Sequence, residues 1–266
     1  MAEQKFDFKK EFKNIYLQKT QPVIVEVPPM TYLCVDGKGN PNTTQEYKDA
    51  LAILYGLSYT IKMSKMDGTQ PVGYFDYVVP PLEGLWWMEN GEGFDGIHIT
   101  DKTRFCWTSM IGLPSFVNEG ILEQAKEKLH KKNPELDLSR ARMETMEEGL
   151  CAQIMHLGSY DDEPGTILQM KEFLEKEGYI TDINKKRRHH EIYFNDPRKT
   201  RPGEIKDDNP ASRQKSIIKK TGSEAFYGPG PVFCLKKGIF VMRSLDLTIM
   251  PDLIYIRHHR DCISVT

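Results

Sequence analysis

The stretch "NTTQEYKDALAILYGLSYTIKMSK" most constrains what this chain can become. Tyr47, Ala50, Leu51, Leu54, Leu57 and Ile61 recur at helical spacing, and Thr43 or Thr44 can cap the first turn; only Gly56 weakens the pattern. A helix with one apolar stripe must lay that stripe on another layer. Its neighbours supply one. "TYLCVDG" before it reads as a strand closed by a glycine turn. After it come three strand candidates, "GYFDYVVPP" near 73–81, "GLWWMEN" near 84–90 and "TRFCWTSM" near 103–110, separated by Pro/Gly or Asn/Gly punctuation. The first half is therefore a β-α-β-β unit with an extra strand.

The order recurs. "PSFVNEGILEQAKEKLHKKNP" reads as a helix whose Lys-rich last turn suits the helix dipole. "ARMETMEEGLCAQIMHLG" offers one strand or two in a hairpin. "DDEPGTILQMKEFLEKEG" offers a helix with Asp162 near its cap, Pro164 in its first turn and Gly178 as its stop. "HHEIYF" then closes the pattern as a strand. The expected fold class is α+β, with duplicated β-α-β-β units forming an antiparallel sheet backed by helices, its other face free to form a central ligand cleft. Residues 1–202 read as that domain. Residues 203–266, which begin with a Pro-, Gly-, Ser- and Lys-rich run of little periodicity, read as a C-terminal extension of uncertain order.

Several functions are disfavoured early. With 36 basic and 38 acidic residues the formal net charge is −2, so no general field draws nucleic acid or an anionic membrane. The N-terminus lacks the apolar core of a signal peptide and no apolar run is long enough to span a bilayer, so a cytoplasmic protein is expected. The five cysteines are scattered and form no C-x-x-C pair, which suggests free thiols. "GEGFDG" at 91–96 matches a dinucleotide-binding pattern, but a β-like sequel follows it and Glu92 and Asp95 would repel phosphate; a hairpin turn is the better reading. The "KKRRHH" run at 185–190 reads as a solvated loop. His189 and His190 point to opposite strand faces and cannot share a metal without distortion, so neither metal nor cofactor is expected. No G-x-S-x-G, P-loop or H-E-x-x-H motif occurs, and no helix-turn-helix accompanies the domain.

What remains is a carboxylate among aromatics. In "HHEIYF" alternation puts His189, Glu191 and Tyr193 on one face, and His190, Ile192 and Phe194 on the other. All three tryptophans, Trp86, Trp87 and Trp107, fall in two adjacent strand candidates, with Tyr74 in the strand before. Consecutive Trp86 and Trp87 must face opposite ways. If helices cover one side, the other becomes an aromatic-lined hollow with a carboxylate in its wall, suited to a cationic or polarised planar ligand.

The strings "VPPMTYLCVDGKGNPNTTQEYKDAL", "GYFDYVVPPLEGLWWM", "FCWTSMI", "EGLCAQIMHLGSYDDEPGTI" and "RRHHEIYFNDPRKTRP" resemble the GyrI-like small-molecule-binding proteins of bacteria, from about residue 1 to 202. The resemblance implies two β-α-β-β units around a ligand cleft. It further implies multidrug binding or detoxification, because similar stand-alone proteins are hydrolases that open the cyclopropane ring of cyclopropanoid genotoxins. By motif the pocket glutamate falls on Glu191 and a catalytic tyrosine on Tyr160, with Trp86, Trp87, Trp107, Tyr74 and Tyr193 as ligand-binding positions. The alternative is a non-catalytic sensor or sequestering module for cationic aromatic compounds. A small molecule is the expected partner; a protein partner is unknown. The chain departs from its relatives after "DPRKT", where a long further stretch replaces a short tail.

Overall fold

The computed structural model describes residues 5–16, 19–89, 101–157, 163–184, 186–194 and, for the backbone, 213–219. The helical periodicity around Tyr47 becomes α2, Gln45–Met63, which buries Ala50, Leu51, Ile53, Leu54, Leu57 and Ile61. Gly56 is tolerated inside it because Leu129 of the neighbouring helix α3, Glu119–His130, fills the space a side chain would take. The Asn118 side chain caps α3 by accepting from the Ile121 amide. The fourth helix, α4, spans Glu163–Lys176; the first, α1, is a single turn at Phe8–Glu11.

Eight strands form one sheet: β2 (Val23–Val27), β3 (Met30–Lys38), β5 (Leu82–Met88), β6 (Phe105–Gly112), β7 (Arg142–Met146), β8 (Gly149–Leu157), β9 (His189–Tyr193) and β10 (Arg213–Lys219). Their order is β2-β8-β10-β9-β5-β6-β3-β7, and every pairing is antiparallel. A two-fold pattern runs through it. Strand β3, helix α2, then β5 and β6 make one β-α-β-β unit, arranged in space as β3-β6-β5. Strand β8, helix α4, then β9 and β10 repeat it as β8-β10-β9, and the two units join along β5–β9. The last strand of the second unit thus comes from within the stretch that the sequence reading sets apart as an extension.

The edge strands are exchanged. β2 precedes β3 by two residues yet pairs with β8, while β7 precedes β8 by two residues yet pairs with β3. Links as short as 28–29 and 147–148 reach no more than roughly 10 Å, at ~3.5 Å per residue step. The two ends of the strand order must therefore lie side by side, and the sheet curls. One apolar cluster agrees, since it joins Val25 and Val27 of β2 to Tyr32 and Cys34 of β3, together with Met110, Cys151 and Ile192. Phe8, Ile15 and Tyr16 from the N-terminal segment pack into the same cluster. The segment is tied down by Gln153, which donates to the Asn14 carbonyl at 2.7 Å.

The other face carries the helices. α2 lies on β3 and β6 and α4 on β8, with the central pair β5 and β9 between those footprints. Leu33, Val35, Trp86, Trp107, Ile111 and Tyr193 pack with α2, and Ala152 and Ile154 pack with Ile167, Met170 and Leu174 of α4.

Two sequence expectations change. "ARMETMEEGLCAQIMHLG" is two strands, but they are not a hairpin, because each pairs elsewhere. Of "GYFDYVVPP" only β4, Tyr77–Val78, is strand, and it pairs in parallel with β1, Phe6–Asp7, outside the main sheet. Pro80 and Pro81 lack amide hydrogens for a ladder, and the Tyr74 ring packs at a tilt against Phe116, with centroids 5.2 Å apart.

Candidate functional site

Antiparallel partners share a sheet face, so the register of β9 shows what Glu191 looks toward. Glu191 pairs with Gly84, His189 with Trp86 and Tyr193 with Leu82; Gly84 in turn pairs with Ser109 and Trp86 with Trp107. Leu82, Trp86 and Trp107 among those partners lie in the cluster packed by α2. The carboxylate therefore faces the helix side, between the α2 and α4 footprints, rather than a helix-free hollow. The sequence could not choose the side, because alternation fixes which residues share a face and not what covers it.

Glu191 is 4 % exposed and Tyr193 8 %. The Tyr193 hydroxyl donates to Glu191 Oε2 at 2.6 Å, and the Trp86 indole Nε1 donates to the Tyr193 hydroxyl at 2.9 Å. Gly84 makes this chain of contacts possible. A Cβ there would sit 2.8 Å from Trp86 Nε1 and 3.4 Å from the Tyr193 hydroxyl. On the other side of Glu191, His189 Nε2 lies 3.3 Å from Oε1 and 4.0 Å from Glu163 Oε1. Glu163 is the first residue of α4 and is buried. The carboxylate is thus held at both oxygens.

Tyr47 of α2 closes the aromatic side. Its ring is 5.0 Å from Trp107, edge to face, and 6.2 Å from Trp86. Burial raises the pKa of its hydroxyl and the Glu191 charge raises it further, against a hydrogen bond with Ser109. Tyr47 is partly exposed, so it is where the cluster meets the surface. Trp107 is fully buried, lying so close over Gly37 that a Cβ there would meet its ring at 2.2 Å.

The remaining positions named from sequence scatter. Trp87 points to the opposite face from Trp86, with Arg188 stacked 4.6 Å from its ring centroid. Tyr74 sits at the end of α2, donating to the Lys62 carbonyl at 2.7 Å. Tyr160 and the "GEGFDG" stretch lie outside the described residues. Tyr47, Glu163 and His189 were not singled out as site residues. Tyr47 reads as one tooth of an apolar stripe, and nothing local announces that the fold will bring it or Glu163 to Glu191; His189 shares the Glu191 face by alternation.

The opposite face holds a second buried polar group. His190 lies between Glu148, 2.9 Å from Nδ1, and Glu83, 3.0 Å from Nε2, and Tyr16 donates to Glu83 at 2.8 Å. Both ring nitrogens face carboxylates, so both carry protons. Burial alone would lower the His190 pKa; the charge and hydrogen bond of Glu148, joined by Glu83, push it up to about 10. Away from both clusters, a groove of about 730 Å³ runs between α1 and the 113–117 loop, past Phe6, Phe12, Met30 and Asp76. It contains none of the residues around Glu191.

A duplicated antiparallel sheet with helices over one face and a buried, aromatic-flanked carboxylate over its central strands defines a small-molecule-binding α+β domain. The chain belongs to the family of the GyrI-like small molecule binding domain, which matches residues 20–207. Among solved structures it is similar to an uncharacterized conserved protein from Listeria innocua, at 43% identity and a TM-score of 0.72, over 82% of this chain and 100% of that one. It is also similar to a hydrolase from Listeria innocua, at 42% identity and a TM-score of 0.70, with the same shares covered. No curated protein matches. Among the described residues no helix is long and apolar enough to cross a membrane.

Proposed function

We propose that the chain binds planar aromatic or electrophilic small molecules at the Glu191 cluster and hydrolyses those that carry a strained, carbonyl-conjugated cyclopropane. The observation that carries this reading is the buried Glu191 carboxylate, fixed by Tyr193 at 2.6 Å and flanked by Trp86 and Tyr47. An aromatic wall beside a carboxylate suits a flat ligand with positive or polarised character. The hydrolase from Listeria innocua supports a reaction that uses water.

In the step proposed, water oxygen attacks a ring carbon as the ring C–C bond breaks. The electron pair of that bond moves to the conjugated carbonyl, which becomes an enolate or phenolate oxygen. Glu191 orients the water and takes its proton, and the new oxygen receives a proton, so the net change is addition of one water. Tyr193 is committed to Glu191, which makes it a positioning residue. Tyr47 has a hydroxyl at the cluster and is the described tyrosine suited to donate to the developing oxygen; Tyr160 is the other candidate. Strain drives the opening, so acid–base assistance of ~10²- to 10⁴-fold suffices.

The test pairs two measurements. Tryptophan fluorescence should report saturable binding of a planar aromatic cation, and mass spectrometry should find the water adduct of a cyclopropanoid incubated with the protein. Glu191→Gln should abolish the adduct. Binding without any adduct would leave the sequestering function in place of the enzyme, and full turnover by Glu191→Gln would remove Glu191 from the chemistry.

A further inference from the structure

We propose that Glu163, His189 and Glu191 together form a site for a divalent transition-metal ion of the zinc type. One donor atom from each residue lies within 4.8 Å of the other two, and all three side chains are buried. The two distances from His189 Nε2, 3.3 Å to Glu191 and 4.0 Å to Glu163, are near what a shared ion requires. Bonds of about 2.0–2.2 Å place neighbouring tetrahedral donors roughly 3.3–3.6 Å apart. Glu163, at 4.0 Å from His189 Nε2, must come closer to complete the triangle.

The scaffold is suited to this. Two donors come from one strand at positions i and i+2, which alternation points to the same face. The third comes from the first residue of α4, a rigid element. Glu191 also has the supporting contact expected of a metal-binding carboxylate, since Tyr193 holds its Oε2 and Trp86 holds Tyr193. A divalent cation between Glu163 and Glu191 would be attracted by both carboxylates. An imidazole with two carboxylates and no thiolate suits zinc, manganese, cobalt or iron(II) and disfavours copper(I). The histidine-pair argument from sequence still stands, because His190 is on the far face; the third ligand comes instead from Glu163.

Three protein ligands leave a coordination position for water, the arrangement of catalytic rather than closed structural zinc sites. A metal-bound Glu191 would not be the free base of the step proposed above, so the two readings compete for one carboxylate and are tested apart: the cyclopropanoid adduct in chelator, and metal binding without ligand.

Full-length protein would be stripped with EDTA, reloaded with Zn²⁺ or Co²⁺, desalted, and assayed by elemental analysis and by visible absorption of the Co²⁺ form. The expected result is a single ion per chain and a Co²⁺ band of low-coordination intensity. His189→Ala and Glu163→Gln, each checked by circular dichroism, should lose the ion at concentrations that saturate the parent. Tyr193→Phe should weaken binding by ~10- to 100-fold, and Glu147→Gln, at an exposed position, should have no effect. Substoichiometric metal in the parent protein overturns the proposal. So does equal metal content in a folded His189→Ala or Glu163→Gln chain.

Discussion

Replacing His190 with glutamine should remove a share of stability that depends on pH in a defined window. In the folded chain the imidazole lies between Glu148 and Glu83, and Tyr16 donates to Glu83 from the N-terminal segment. Arg187 adds a contact to the Glu148 carbonyl at 3.4 Å, and the Tyr32 hydroxyl feels the charges of both carboxylates. The folded pKa of about 10 stands above the ordinary 6.5. A raised pKa means that the folded state binds the proton more tightly than the unfolded chain. Its contribution is therefore complete below about pH 6.5, falls across the window, and is gone above about pH 10.

The slope within the window is ~1.4 kcal/mol per pH unit. The difference 10 − 6.5 spans 3.5 units, which bounds the effect at about 5 kcal/mol. Removing one partner of a buried ion pair costs about 3–5 kcal/mol, so the two routes agree. Urea titrations of parent and His190→Gln at steps from pH 6 to pH 10, in chelator, would read it. The midpoints should differ most at the acid end and converge at the alkaline end. Titrating groups away from Glu83 and Glu148 are common to both proteins and cancel. Parallel pH profiles for the two proteins would refute the assignment of a charged His190.

Gly84→Ala should destabilise by about 1–3 kcal/mol through overpacking and weaken ligand quenching, because its methyl group meets Trp86 Nε1; thermal melting and fluorescence titration check both. Tyr16→Phe removes a hydrogen bond to a buried carboxylate and should cost about 1.5–3 kcal/mol, measured by urea unfolding. Asn118→Ala deletes the cap of α3 and should cost about 1 kcal/mol, with no change at the Glu191 cluster by tryptophan fluorescence.

The parts of the fold legible in the sequence are those that depend on local periodicity. The stripe from Tyr47 to Ile61 gave α2, and alternation correctly placed Glu191 and Tyr193 opposite His190 and Ile192. Trp86 and Trp87 likewise separate as their adjacency requires. What escaped depends on contacts between distant segments. The helix side rather than the open side receives Glu191, because α2 and α4 come down on the face that β9 happens to turn toward them. Glu163 meets His189 and Glu191 only through the packing of α4 on β8, whereas His189 shares the Glu191 face by alternation alone. His190 looked like a residue of an apolar face, and its partners, Glu83 and Glu148, lie 107 and 42 positions away. Tyr74 looked like part of a strand because its neighbours are β-prone, although the prolines after them end any ladder.

The exchange of β2 and β7 bears on how such a chain could be divided. Each unit lends its leading strand to the other, so a fragment ending near residue 140 keeps β2 without its partner β8 and leaves β3 without β7. The complementary fragment has the reciprocal defect. Neither piece can satisfy its outer backbone groups alone, yet each holds the strand that the other lacks. Two separately made halves of this protein would complete each other, much as interlocked hands close only when both are present.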